Sequence, residues 1–556
     1  MLISTTPTPA DLLDVPQPTQ EATLALDPRA MQVGPDGLTS FHWPVTVAEL
    51  LRVRDRFLEG FYAWLREEEV DRSRDAEVLW LNGAQIAVEV MRLFNGYAVS
   101  HRLAGHCRFA PSAQGAGLAQ AIAAGEVPPD SVMTRRTLMG LPPDPLWRKP
   151  LRAVKYAVSG AIPTYRPKRL IDPRADIVTF SGGGLIARHA AAVETRVVLS
   201  KFDEWMTPGR PHGVEAFRLQ PRSPDAVCAL VRSVFETAGE RLPDVLEAGL
   251  RDYLARISAR TAFHLEELER QAKQLPRILW CGSCGILYNR LMARAVAKAG
   301  GSAVGHDHGT GTGWWQTYYQ TVTELNFLDR FVTYSEALAE GLRRHTRRDL
   351  TLDPQRICHI DALSARKSSG PAPADGRRCP STSGTAKPIK SVMYVPTAYT
   401  GDNMYLLPLL ADAVAVDWQA RLLAFLKAEG YEILIKPHPE SPYPLPTAFA
   451  SLFGAEILDA PFEAVLHKAD CVLFDYLQTT CIVEAVGSDR AMVMIEFPRL
   501  QLDPEARALL ERRAALVPGH FDADGRAQVA WHALRSGLAA APDLRDRAFT
   551  ESYFPR

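Results

Sequence analysis

Lysine is scarce in this chain, at 12 of 63 basic residues, with arginine supplying the rest. Together with the abundant alanine, this skew reads as the composition bias of a GC-rich genome and carries no mechanistic weight. Neither sign of charge is in surplus: 63 basic against 64 acidic residues leave −1. A sequence-independent nucleic-acid binder would carry a basic excess for phosphates, so nucleic acid is not an expected partner. No run of about 18 uncharged apolar residues occurs, which argues against a transmembrane helix and leaves peripheral membrane association open. The segment Met1-Leu-Ile-Ser-Thr-Thr-Pro-Thr-Pro-Ala10 has neither a basic nor an apolar signal region, so secretion is not expected. Cysteine is sparse. Its eight positions (107, 228, 281, 284, 358, 379, 471 and 481) are scattered through 556 residues, as free thiols in a reducing compartment would be. The expectation is a cytoplasmic, soluble, multidomain protein, since about 150 residues per domain gives three to four units.

Strands and helices alternate along the chain. Residues 1–42 are rich in Pro, Thr and Asp and read as a flexible arm. Glu77–Leu81 reads as a first strand, Asn82-Gly83 as its turn and Ala84–Phe94 as a helix. Asp176–Phe180, Arg277–Trp280, Ser302–Gly305 and Arg330–Tyr334 repeat the strand theme. Residues 224–274 carry helical spacing throughout and read as an inserted helical hairpin. Residues 364–388 are dense in Gly, Pro and Ser and form the clearest linker. Beyond it, strands are expected at Ser391–Val395, Tyr431–Lys436, Asp470–Phe474 and, last, Ala491–Ile495. Helices are expected at Asp417–Glu429, Phe462–Lys468 and Thr479–Gly487. The fold class expected is α/β, with two Rossmann-like domains facing a cleft and helical insertions in the N-terminal half. The first domain spans 43–363 and the second 389–525, with a helical tail over 526–556. No solenoid-type repeat is present.

The strongest local signal is Lys436-Pro-His-Pro439, directly after the apolar run Ile433–Ile435. Pro437 and Pro439 fix their own φ and bias their predecessors toward extended backbone, which holds His438 on a stiff strand tip. An imidazole there can bond a phosphate or protonate a departing one; alone, a strand-capping turn is an equal reading. Further on, Gln478 precedes a helix, and Thr479 and Thr480 fall near its first turn, whose free N–H groups suit an anion. N-capping explains the threonines equally and is compatible with that role. Glu484, one turn in, suits ribose hydroxyls or simply a solvated surface.

In the first half, Gly305-His-Asp-His-Gly309 follows a strand, and Asp307 and His308 are candidate general bases. A metal reading of His306, Asp307 and His308 fails on spacing, because adjacent residues of an extended tip point to opposite sides. Ser181, Gly182, Gly183 and Gly184 form a glycine-rich tip that matches neither the dinucleotide nor the Walker pattern. It suits a close approach of acceptor to backbone, as Gly309 does. Cys281-Gly-Ser-Cys284 opens a helix as redox pairs do. With no thioredoxin-sized unit around it, the pair reads as small strand-end residues.

Together these motifs resemble bacterial sialyltransferases and related capsule enzymes of the GT-B architecture. That group carries an acidic-Gly motif, a His-Pro motif and a Ser/Thr pair, matched here by Asp307-His308-Gly309, His438-Pro439 and Thr479-Thr480. Lys436-Pro-His-Pro439 is also similar to the motif of CDP-glycerol glycerophosphotransferases. Asp475-Tyr476 with Thr479-Thr480 echoes their Asp-Tyr-Ser-Ser pattern, with Leu477-Gln478 inserted. The similarity covers residues 277–498. It implies a donor domain at 389–525 and an acceptor domain before it. The donor would be a CMP-activated nonulosonic or ulosonic acid (sialic, legionaminic, pseudaminic or Kdo type), and the acceptor a surface glycan or protein. It further implies that His438, Lys436, Pro439 and the threonines hold the donor phosphate, and that chemistry needs neither metal nor cofactor. The base would be Asp307 or His308, because this chain has Asp-His where the sialyltransferase motif has two acids. A CDP-polyol phosphotransferase is the alternative enzyme, but the basic or amphipathic membrane segments usual there are missing. A non-catalytic binder would have no reason to keep all three motifs.

Overall fold

The computed structural model describes residues 2–4, 43–102, 108–110, 118–127, 163–206, 217–308, 312–355, 358–363, 388–400, 404–438 and 448–555. Of the arm expected over 1–42 only 2–4 fall among them, and of the 364–388 linker only Pro388; Gly309 and Pro439 lie outside.

A short parallel pair, β1 (Leu2–Ser4) with β2 (Arg108–Ala110), stands apart from two seven-stranded sheets. The first sheet comprises β3 (Thr164–Tyr165), β4 (Ile177–Thr179), β5 (Val197–Leu199), β6 (Ile278–Cys281), β7 (Ser302–His306), β8 (Arg330–Thr333) and β9 (His359–Ala362). Its order is β3-β5-β4-β6-β7-β8-β9, and every pairing is parallel. The second comprises β10 (Ser391–Val395), β11 (Glu432–Ile435), β12 (Glu456–Ile457), β13 (Cys471–Phe474), β14 (Ala491–Glu496), β15 (Ala515–Phe521) and β16 (Ala527–Val529). Its order is β12-β11-β10-β13-β14-β15-β16, parallel except for the last pair. The central strands are continuous apolar runs because helices or loops cover both faces; Cys471-Val-Leu-Phe474 is buried throughout. This is the expected α/β architecture of two Rossmann-like domains.

The helical insertions pack together against the first sheet. Helix Val47–Glu67 starts at a capping box, in which Thr46 Oγ1 accepts from Glu49 N–H (3.2 Å) and Glu49 Oε2 accepts from Thr46 N–H (2.8 Å). Phe57, Phe61, Tyr62 and Leu65 form its buried stripe. The hairpin expected over 224–274 is the helix pair Arg222–Thr237 and Asp244–Arg270.

Two expectations fail. Glu77–Leu81 is the end of a helix, Arg74–Leu81, rather than a strand. Ser73 Oγ caps it by accepting from Ala76 N–H at 3.2 Å, and a short apolar run looks the same in a buried helix as in a buried strand. Nor is Ala491–Ile495 the last strand. β15 and β16 follow, and β16 lies within the segment expected as tail. β15 pairs β14 through Ala515–Pro518 and the edge strand β16 through Gly519–Phe521, and its alternating exposure and Pro-Gly content hide it in the sequence.

The carboxyl ends of the two sheets meet. After β7, Trp315 bridges Leu502 beyond β14, Gln316 N–H donates to Gln501 O (2.8 Å), and Asp503 N–H donates to Trp314 O (2.9 Å). Gly313 permits this path. Its φ is +104°, and an added Cβ would fall 2.1 Å from Leu338 O. Buried Asp503 accepts from Arg344 Nη2 and His345 Nε2, both at 3.0 Å, on helix Glu336–His345 of the first domain. The final helix, Ala548–Tyr553, sets Phe549 against Trp314, and Tyr553 O accepts from Ser335 Oγ at 3.1 Å. No helix among the described residues is long and apolar enough to cross a membrane.

Candidate active site

Open parallel sheets bind ligands beyond the carboxyl ends of their strands, where the strand order reverses. In the second sheet the reversal falls at β10, with β11 on one side and β13 on the other. Lys436-Pro-His438 leaves β11, and Asp475–Thr480 leaves β13. Asp475 is buried and accepts from the Tyr394 hydroxyl of β10 and from Trp418 Nε1 (2.8 Å). Burial pushes its carboxyl up, and the Tyr394 bond and the Arg499 charge oppose that shift. Arg499 donates to the Asp475 carbonyl (3.1 Å) and lies 5.0 Å above the Tyr476 ring, whose hydroxyl donates to Gln478 Oε1 (3.0 Å). The backbone leading to the threonines is therefore tied down residue by residue.

Thr479 is buried, and its hydroxyl accepts from Cys481 N–H at 3.3 Å. Thr480 is exposed at the N-cap position of helix Cys481–Val486 and makes no side-chain cap bond. Glu484 is exposed on that helix. At the helix's other end, buried Arg513 donates to four carbonyls: Val486 (3.0 Å), Ala485 (2.9 Å), Ser488 (3.0 Å) and Arg490 (2.9 Å). Lys436 is buried, with its Nζ donating to Pro437 O at 3.1 Å. Burial pushes the Cys481 thiol up, and the Lys436 charge is close enough to oppose it. The structure thus brings the Lys-Pro-His tip and the threonine pair to one edge. His438 is half-buried there.

In the first sheet the order reverses between β4 and β6. Ser181 follows β4 and is fixed by Thr179, whose hydroxyl donates to Ser181 O (3.0 Å) and accepts from Ser181 N–H (3.1 Å). Gly182, Gly183 and Gly184 are exposed, with open space where each Cβ would stand. The loop after β6 touches this tip, since a Cβ on Gly282 would meet Ser181 Oγ at 2.6 Å. Glu324 clamps that loop, accepting from Ser283 Oγ (2.8 Å), Cys284 N–H (2.6 Å) and Gly285 N–H (3.3 Å). Arg290 donates to Cys284 O at 3.0 Å. Burial pushes the Glu324 carboxyl up against these bonds. A hydrogen bond with Cys281 and burial hold the Cys284 thiol well above its usual range, which makes it a poor nucleophile.

Asp307 and His308, adjacent in sequence, occupy opposite environments. Asp307 is 1% exposed, its N–H donates to Val332 O (2.9 Å), and its charge adds to the burial that pushes the Tyr334 hydroxyl up to about 12. His308 is exposed, with its charge felt by Glu324. Sequence reasoning missed three residues of this edge: Glu324, Arg290 and His189. Only the adjacency of β4, β6 and β7 gathers them, and no spacing rule reports it. Among the described residues, no group of three or more His, Cys, Asp or Glu is placed to hold a metal ion.

No family model matches the sequence, and no curated protein matches it. Among solved structures, the chain is similar to HepE of Anabaena, crystallised in complex with UDP and glucose. The identity is 11% and the TM-score 0.33, over 68% of this chain and 95% of that one. It is also similar to the glycosyltransferase SnogD from Streptomyces nogalater, at 12% identity and TM-score 0.29, over 68% and 95% of the two chains.

Proposed function

We propose that this chain is a cytoplasmic glycosyltransferase that moves a nonulosonic or ulosonic acid from a CMP-sugar to a glycan or protein acceptor. The observation that carries the reading is the convergence at the second sheet's reversal point. There Lys436, His438, Thr479 and Thr480, three donors of neutral hydrogen bonds and one cation, reach one edge from two strands. A single phosphate wants that set. Lys436 supplies charge, the Thr480 hydroxyl is uncommitted to capping, and His438 can protonate the departing CMP oxygen. Gln478 and Glu484 are assigned to the nucleoside side and Pro439 to stiffening the tip. Ser181–Gly183 and Gly309 are assigned to acceptor approach. Acceptor activation belongs to the first sheet's edge, where His308 is the exposed and Asp307 the sealed member of the motif pair. In this proposal no metal or cofactor takes part, because one phosphate leaving group can be neutralised by these donors.

The test is His438→Ala beside Thr480→Ala. His438→Ala should lower CMP release by ~10²–10⁴ with the fold intact, the usual range for a positioned acid. Thr480→Ala should weaken CMP binding by ~1–3 kcal/mol, the scale of one bond to a charged group. Wild-type release from folded His438→Ala ends the catalytic role of that residue.

A further inference from the structure

His189, outside every sequence motif, pairs with His306 of the Gly305–Gly309 tip. His306 closes β7. Its Nδ1 lies 3.3 Å from the Cys281 carbonyl oxygen and its Nε2 lies 2.9 Å from His189 Nδ1. A carbonyl only accepts, so His306 Nδ1 carries the proton and Nε2 the lone pair. The shared bond then needs a proton from His189, which places that proton on Nδ1 and leaves His189 Nε2 as a lone pair. Burial pulls the His306 pKa down to about 3 and, with the Arg330 charge, lowers that of half-buried His189, so both rings are neutral near pH 7. The His189 ring stacks on Trp280 at 4.3 Å and 12°, so ring plane and tautomer are both fixed.

His189 Nε2 has no hydrogen-bond partner among the described residues and is not a buried atom. Its helix, Gly184–Ala192, opens at the glycine tip of the first reversal point. Helical side chains lean toward the N-terminus, so the ring leans to the sheet's carboxyl edge, where it meets the residue preceding Asp307. A lone pair is thus held in one orientation beside the acceptor edge, by an orienting partner that is itself oriented.

We propose that His189 is the base that takes the acceptor's proton, with His306 as its positioning residue; this rests on the glycosyltransferase reading. The acceptor O–H proton passes to His189 Nε2. The oxygen's electron pair forms the bond to the anomeric carbon, and the bond from that carbon to the phosphate oxygen breaks, its pair leaving on CMP. His306 Nε2 accepts the hydrogen bond from His189 Nδ1–H throughout, and the His189 imidazolium formed lies on the Trp280 face.

Two measurements on the full chain test this. A long-range ¹H–¹⁵N imidazole spectrum at pH 7 should show both rings protonated at Nδ1; His189 protonated at Nε2 overturns the proposal. In kinetics, His189→Asn keeps an amide N–H near the Nδ1 position and loses Nε2. It should release CMP from CMP-N-acetylneuraminate or CMP-Kdo ~10²–10⁴ more slowly at unchanged CMP affinity, and His189→Gly should be partly rescued by added imidazole. A structural pair predicts wild-type turnover in His189→Asn. That result, or loss confined to His308→Asn, overturns the assignment. If the wild type releases CMP from neither donor, the glycosyltransferase reading falls, and the tautomer spectrum alone decides the pair.

Discussion

Acid should destabilise the first domain through His306, by an amount that follows from its setting. The ring is 1% exposed, and burial together with neighbouring His189 pulls its pKa down to about 3. In the unfolded chain an imidazole titrates near ~6.5. Below that value the unfolded state takes up a proton that the folded ring refuses, so stability falls as pH drops and stops falling only near the folded value. The slope limit is ~1.36 kcal/mol per pH unit, which gives a loss of about 2 kcal/mol between pH 7 and pH 5. Half-buried His189, also lowered, adds in the same direction. The assay is urea unfolding at pH 7, 6 and 5, reading the shift in midpoint at constant slope. His306→Gln removes the titrating group and should flatten the pH dependence by about 2 kcal/mol, whatever its stability at pH 7. Equal pH slopes in the two proteins would refute the buried neutral ring, and with it the tautomer argument.

Arg513→Met strips one guanidinium from four carbonyls behind the threonine helix. It should cost ~3–5 kcal/mol, because four buried carbonyls lose a charged donor, read as a fall of roughly 6–20 °C in the second domain's melting transition. Gly313→Ala would force a Cβ to within 2.1 Å of Leu338 O at φ +104°. It should cost at least ~1–3 kcal/mol of backbone strain and change the fluorescence of Trp314 and Trp315, measured by equilibrium unfolding. The Asp503 carboxyl is held below its usual range by Arg344 and His345 against burial. Its stabilisation is therefore present at neutral pH and lost as pH falls through the depressed value. Asp503→Asn should speed exchange of the Gln316 amide, and of the amide at 503 itself, at pH 7, where the wild type bonds them to Gln501 O and Trp314 O.

The second sheet was legible because its central strands are buried on both faces and read as unbroken apolar runs. Ile433–Ile435, Cys471–Phe474 and Ala491–Ile495 could hardly be anything else. The loops beyond them inherit that legibility, which is why Lys436, His438 and Thr479-Thr480 could be placed from sequence. Glu77–Leu81 misled because five apolar-rich residues carry no period, and the deciding signal, the Ser73 cap, lay outside the run. β15 and β16 were missed because a strand with alternating exposure and a Pro-Gly pair, followed by a three-residue edge strand, resembles a loop. The residues that orient the first sheet's edge come from a helix at 189, a turn of helix at 324 and a helix at 290. They are gathered by strand order rather than by spacing. Asp307 and His308 show the remaining limit. One residue of register along a strand tip separates a sealed carboxyl from an exposed imidazole, and composition cannot see it.

The central claim is a cytidine-nucleotide site at the reversal point of the second sheet. Its most direct measurement is a thermal-shift panel of CMP, CDP, UMP, UDP and GDP on the intact protein. Ligand at 100-fold excess over Kd should stabilise by ~2.7 kcal/mol, selectively with CMP, and the effect should shrink in Thr480→Ala. Stabilisation by UDP or GDP with no response to CMP would contradict the account.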